Sequence, residues 1–450
     1  MKSDNLIQNM NEDEIKEQID KYLVVRKDEK AKFGEVFTPI KLINEILDKL
    51  PSHVWKNKSY KWLEPASGIG NFPMVVYRRL MVSLKDEITD ENARSKHIIE
   101  NMLYMIELNK DNVSISKKIF GKNANIYCKS FLDIDVKNLT GVKTFDIIMG
   151  NPPFQENIAG NQKSRTLWNL FTLKSIETLS KDGYLAFVHP SGWRSPTGRF
   201  KPVLNKIQER NLIYISMVSF DDGKKYFREV HTNLDIYILQ NRITNKNITK
   251  VNDMDNNDTT VDFNNWEFIP SGKFDVFKKI LATKNDKYVD VLYSSSAYFT
   301  LKDYMSQKKT DKFKYPCCYS VTQAEGVKKF YSSKIVKDDD MFKVPKVMWS
   351  NGTGTYPVVD ENGTYGLTQF CYAIKDKKEN LKKIKHAMES SEFVELMKYA
   401  KFQNNRYDHK VIKLFKSDFF KAFKGKKFVS KRGPIKVLPK NKTKKVKKTY

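Results

Sequence analysis

The chain has 450 residues, 40% of them hydrophobic and 12% aromatic, ample for folded cores and incompatible with global disorder. Lys and Arg number 80 against 53 Asp and Glu, and the formal charge of +27 points to a polyanionic partner, nucleic acid before membrane. Four cysteines (Cys128, Cys317, Cys318, Cys371) lack the number for a disulfide scaffold and the spacing for a metal site, and no apolar run reaches the length of a membrane span.

A soluble, intracellular protein of two domains with appendages is expected. Residues 1–30 are charged, with apolar positions at Ile15, Ile19, Leu23 and Val24 that predict a short amphipathic helix. Over residues 31–250, strand-like apolar runs at 61–63, 103–106, 126–128, 145–149, 184–188, 213–218 and 234–239 alternate with helical periodicity, as at 40–50, 111–119 and 167–179. This alternation predicts an α/β domain of Rossmann-like type, with a mainly parallel seven-stranded sheet covered on both faces. The polar stretch "NKNITKVNDMDNNDTTVDFNN" reads as a linker. A second, α+β domain is expected over 260–425, with hairpin turn signals at Asn351-Gly352 and Asn362-Gly363. Residues 426–450 form a basic tail, and no acid occurs after Asp418.

Three short motifs stand at the ends of predicted strands. "IIMGNPPF" ends an apolar run with Gly150 and a Pro152-Pro153 pair, which cannot continue a ladder. Its plain reading is a turn, but in open α/β sheets the strand's C-terminal end is where ligands bind. "KWLEPASGIGNF" delivers Glu64 and then Gly68 and Gly70, which permit a tight turn and close backbone approach. The dinucleotide fingerprint requires a third glycine where Phe72-Pro73 stands, so a nicotinamide cofactor is not favoured. "LYMIELN" ends the next strand in Glu107, placed to hold two ribose hydroxyls or simply a solvated acid.

In chain order, "EPASGIGNF", then "IEL", then "NPPF", the three motifs resemble the adenine-N6 DNA methyltransferases that use S-adenosylmethionine, in the gamma class whose target-recognition domain comes last. "GEVFTPIKLINEIL" looks like that family's N-terminal motif, and "TLWNLF" with "DGYLAFVHPSGWR" is similar to its Eco57I-like branch. The resemblance, over roughly residues 33–240, implies residue roles. Glu64, with Pro65, would meet the cofactor's methionine ammonium, Glu107 its ribose, and Thr38 and Pro39 its methionine end; Gly68 and Gly70 would line it, beside Asn151. Ser130 stands where the family commonly has an aspartate for the cofactor's adenine, and Asp133 is the alternative. Phe154 and Phe227 would sandwich the target base, though Phe227 also reads as ordinary core.

The chemistry explains the corner. The exocyclic amine of adenine is a poor nucleophile because its lone pair is delocalised. Two acceptors, the Asn151 side-chain oxygen and the Pro152 carbonyl, held rigid by Pro152-Pro153, would reshape that nitrogen beside a sulfonium methyl, with no metal required. The base must leave the duplex to get there. "QENIAGNQKSR" after Phe154 reads as a loop that orders on DNA, or as a plain surface loop. Base reading falls to the C-terminal domain, where Gln403, Asn404, Asn405 and Arg406 offer suitable side chains. The expected activity is sequence-specific DNA adenine-N6 methylation. RNA adenine, protein glutamine and an inactive DNA-binding relative remain as alternatives. Too few residues precede the motifs for a nuclease domain, so any restriction endonuclease partner would be a separate chain, and a monomer satisfies the sequence.

Overall fold

The structure, a computed structural model, describes residues 7, 38–157, 164–196, 198–227, 232–323, 325–336, 341–351, 356–402 and 409–425. Apart from Ile7, the expected N-terminal helix lies outside them, as do Gln403 to Arg406 and the basic tail. Two compact units are present. The first ends at Ala282 and takes back Tyr399–Phe415; the second runs from Thr283 to Lys398 and resumes at Lys416.

The strands of the first unit are β1 (Trp62–Glu64), β2 (Leu103–Glu107), β3 (Asn125–Cys128), β4 (Phe145–Gly150), β5 (Gln155–Asn157), β6 (Ser164–Thr166), β7 (Leu179–Pro190), β8 (Arg210–Val218), β9 (Leu234–Ile243), β10 (Ile248–Asn252) and β11 (Asp258–Asp262). All but β5 and β6 join one sheet in the order β11-β10-β8-β9-β7-β4-β1-β2-β3. From β7 to β3 every neighbour is parallel, whereas β9 runs antiparallel to both β7 and β8, and β11 antiparallel to β10. The sheet is therefore mixed, with five of its eight neighbouring pairs parallel, and has nine strands among the described residues rather than seven.

The extra strands come from the supposed linker. Thr249 and Val251 alternate inward between exposed neighbours, which suffices for β10 to pair with β8, and the Asp253 carboxylate turns the chain by accepting the N–H groups of Asp255 and Asn257.

Near-continuous apolar strands are what a sheet covered on both faces demands. Trp62, Met105, Ile147 and Met149 enter one core with helices α1 (Ile40–Leu47), α2 (Asn71–Ser83) and α3 (Lys110–Phe120). Their alternates Leu63, Ile106 and Ile148 enter the other, with α4 (Trp168–Thr178) and α5 (Lys201–Gln208).

The domain boundary expected at 250–260 falls at Ala282 because Arg194 holds the next segment. Its guanidinium, 1% exposed, pairs with Asp235 at 2.8 Å and donates to the Ile269 carbonyl and the Ser271 hydroxyl. Ser191 Oγ donates to the Phe402 carbonyl and Tyr399 to Asp255, which explains the return of Tyr399–Phe415.

The second unit contains β12 (Asp290–Leu292), β13 (Met305–Ser306), β14 (Tyr315–Thr322), β15 (Gly326–Ser332), β16 (Lys346–Ser350), β17 (Val358–Asp360), β18 (Gly366–Leu367), β19 (Cys371–Lys375) and helix α6 (Lys378–Glu389). They form two four-stranded sheets, β12-β19-β16-β17 and β13-β15-β14-β18. The expected hairpin is β16–β17, pinned by a buried Lys346–Asp360 pair at 2.7 Å. All four cysteines are free thiols.

Candidate active site

The strand order reverses between β1 and β4: the chain goes from β1 outward to β2 and β3, then crosses to β4 on the other side. A crevice outside the carboxyl ends of strands at such a reversal is where α/β sheets bind ligands. β1 ends in Glu64 and β4 in Gly150, and the parallel register sets Leu63 beside Ile148, so the two motifs leave the sheet side by side. Gly150 has φ +149°, and a Cβ there would lie 3.5 Å from Glu64 Cγ and 3.6 Å from Oε1. The Asn-Pro-Pro corner thus stands against the acid of the glycine motif.

The turn from β1 into α2 is tight because its glycines take backbone shapes that other residues resist. Gly68 has φ +54° and Gly70 +92°, and a Cβ on Gly70 would meet the Phe120 ring at 2.8 Å. Gly70 N–H donates to the Ser67 carbonyl at 2.8 Å, and Ser67 N–H to the Ile106 carbonyl at 3.0 Å. The Glu107 carboxylate accepts the N–H of Gly68 at 2.8 Å and of Asn109 at 2.7 Å, so the acid ending β2 holds the glycine turn in place. Asn71 Nδ2 donates to the Thr38 carbonyl at 3.2 Å, fastening Thr38 and Pro39 to the start of α2. Pro65 is buried behind Glu64. Ser130 follows the end of β3 and is half-buried, while Asp133 is exposed.

Electrostatically the crevice is rich in acceptors that lack donors. Glu64 is buried, and loss of water, then the charge of Glu107, raises its carboxyl well above the usual carboxylate range. Among the described residues its Oε2 has no hydrogen-bond partner, and neither do the buried oxygens Ser67 Oγ, Asn71 Oδ1 and Asn151 Oδ1. Buried acceptors are nearly always satisfied in folded proteins. Four orphans at or just past the ends of β1 and β4 therefore mark a place for a ligand that brings donors, and a cationic amine suits Glu64 best.

At the corner itself Pro152 is buried, while Asn151, Pro153 and Phe154 are half-buried. Phe154 touches both cores and its carbonyl accepts from Leu167 N–H at 3.1 Å. The stretch after it is not a plain loop. Its ends pair antiparallel as β5 and β6, and residues 158–163 lie outside the described set. Trp168 stacks on His189, ring centroids 4.6 Å apart, and burial lowers His189 to about 4, leaving a neutral imidazole at hydrogen-bond distance from the Tyr237 hydroxyl.

Phe227 is 2% exposed and belongs to the core formed with α1 and α2, which matches its reading as ordinary core. Sequence reasoning passed over Ser67 and Asn71, although both stand inside "EPASGIGNF". It also missed Leu108, 65% exposed just past Glu107, where an apolar side chain in water is a signal only the structure supplies.

Comparison with known proteins decides the class. Residues 74–227 match the family model described as Eco57I restriction-modification methylase. Over that third of the chain the sequence is similar to Eco57I-type methylases. Methylases of this family use S-adenosylmethionine, and the orphaned acceptors around Glu64 fit that cofactor's ammonium group. An uncharacterized adenine-specific methylase of Mycoplasma pneumoniae is 26% identical, over 48% of this chain and 69% of that one. The Type II methyltransferase M.AccI of Acinetobacter calcoaceticus is 28% identical, over 48% of this chain and 38% of its own length. Among solved structures, the Type IIL restriction-modification enzyme MmeI in complex with DNA superposes with a TM-score of 0.49 at 13% identity, covering 83% of this chain and 65% of that one. The methylase domain covers the core of the first unit, from α2 to Phe227.

Proposed function

We propose that the protein is a sequence-specific DNA methyltransferase acting on N6 of an adenine flipped out of duplex DNA. The observation that carries this reading is the set of unpartnered acceptors, Glu64 Oε2, Ser67 Oγ, Asn71 Oδ1 and Asn151 Oδ1, following two adjacent strands. Both the cofactor's ammonium and adenine's amino group bring donors that such acceptors lack.

S-adenosylmethionine supplies a methyl group already activated on a sulfonium. Glu64 would take the ammonium, Glu107 the ribose, and Thr38 with Pro39 would lie along the methionine end. Gly68 and Gly70 would line the cofactor, in the tight turn that their left-handed backbone allows. Exposed Leu108 would cover one face of the cofactor's adenine, with Ser130 or Asp133 at its edge. Asn151 Oδ1 and the Pro152 carbonyl accept the target amine's two hydrogens, drawing nitrogen toward tetrahedral geometry and freeing its lone pair. Pro152 and Pro153 fix both acceptors in advance, which is electrostatic preorganisation. Phe154 offers its ring to the base, and the nitrogen sheds its surplus proton after transfer. Phe227, in the core, has no part in this scheme.

DNA is preferred over RNA or protein glutamine because a large, lysine-rich second unit accompanies the methylase domain. The protein would act inside the cell, on DNA. The second domain and Gln403 to Arg406 are proposed as the readers of the target sequence.

The test is to incubate the protein with isotopically labelled cofactor and duplex DNA, RNA or a protein pool, then digest and map the label. N6-methyladenine in duplex DNA is the expected product. Label confined to RNA or to glutamine would overturn the reading.

A further inference from the structure

We infer that the β13-β15-β14-β18 sheet of the second unit is a docking face for the phosphate backbone of duplex DNA. The inference rests on the proposed function, because it names where that function's substrate is held. It does not involve residues 403–406 or the tail.

The segment is basic. Residues 302–334 hold eight lysines against three acids, Asp303, Asp311 and Glu325. The 300 residues before them carry a net charge of only +6, from 44 basic and 38 acidic side chains. A general lysine bias would not concentrate charge in this way.

Side-chain geometry adds a second, independent signal. Four exposed lysines lie over aromatic rings of this sheet and its loops: Lys312 over Phe313, Lys314 over Tyr315, Lys329 over Tyr365 at 5.5 Å each, and Lys334 over Tyr304 at 4.5 Å. None of the four is paired with a carboxylate among the described residues, whereas Lys328 between them is partnered by Glu325 at 3.8 Å. A ring beneath an ammonium restrains it without neutralising it, so contact with a phosphate forfeits less side-chain freedom. Uncompensated, pre-positioned lysines are what sequence-independent backbone contact needs, and backbone contacts set the register of a protein on duplex DNA.

The strands explain why the charges hold together. β14 and β15 pair antiparallel from Tyr315–Ser332 to Thr322–Gly326, and β13 and β18 flank them, so Lys314 and Lys329 ride on a paired scaffold rather than on separate loops.

The experiment uses the full chain, with Lys312, Lys314 and Lys329 replaced by Gln, and measures binding to a duplex oligonucleotide across a salt series. Cofactor binding and circular dichroism report whether the fold survives. The expected result is weaker DNA binding by about 10-fold or more near physiological salt, a shallower dependence of log K on log salt by roughly two to three counter-ions, and unchanged cofactor affinity. If the unsubstituted chain binds and methylates duplex DNA while the variant keeps the same affinity and salt slope, the docking face is wrong and the proposed function stands. If the unsubstituted chain neither binds nor methylates DNA, the proposed function itself has failed. Vesicles of phosphatidylglycerol form a third arm. Binding there that exceeds DNA binding and falls with the same substitutions assigns the face to a membrane surface and overturns the proposal.

Discussion

A carboxylic acid buried at the end of a strand, with a second acid nearby, has its ionised form disfavoured until a cation arrives. For Glu64 the sign follows from linkage: a carboxyl raised in the folded state contributes stability that is complete below the ordinary carboxylate range and is lost as pH climbs through the raised value. Cofactor binding reverses the loss, since the ammonium favours the ionised acid. Calorimetry between about pH 5.5 and 8.5 is expected to show affinity rising with pH in the native chain and a flatter profile in Glu64→Gln. Comparing the two cancels the ligand's own ionisation. An equal pH profile would mean that Glu64 does not face the ammonium. The places of Glu64, Glu107 and Asn151 at or just past strand ends were legible in the sequence because each closes an apolar run, Glu64 and Asn151 beside proline. Phe227 was not, because an aromatic letter reads the same in a base platform and in a core, and only burial separates the two.

At the level of elements, the turn between β1 and α2 stakes most on one residue. Gly70→Ala places a methyl 2.8 Å from the Phe120 ring at a φ of +92°, and is expected to destabilise the fold by about 1–3 kcal/mol and to weaken cofactor binding. Chemical denaturation and cofactor titration check both parts, and a variant of native stability would show that the turn is slack. The strands of this region were legible because their apolar runs are uninterrupted. β10 and β11 were not, because Asn- and Asp-rich composition looks like a linker when only Thr249 and Val251 turn inward. The β5–β6 ladder escaped for the same reason: its strands are three residues each and wholly polar, so pairing leaves no hydrophobic trace.

Across the first unit as a whole, the Arg194–Asp235 pair joins the methylase sheet to the segment that ends at Ala282. Arg194→Met leaves Asp235 buried and unmatched, at an expected cost of about 3–5 kcal/mol, visible as a lower melting temperature. Combining it with Asp235→Leu is expected to regain much of that loss, because the stranded charge goes too. If the double variant is no better than the single one, the carbonyl and hydroxyl contacts of Arg194, not the ion pair, hold the segment. This long-range tie is why the domain boundary could not be placed from composition: a buried pair 41 residues apart in sequence has no local signature. The account as a whole depends on the corner after β4 acting as an amine acceptor. Its most direct test is Asn151→Ala, assayed for methyl transfer to duplex DNA alongside cofactor binding. Transfer is expected to fall by at least about 100-fold with cofactor affinity nearly unchanged; a variant that transfers methyl groups at the native rate would contradict it.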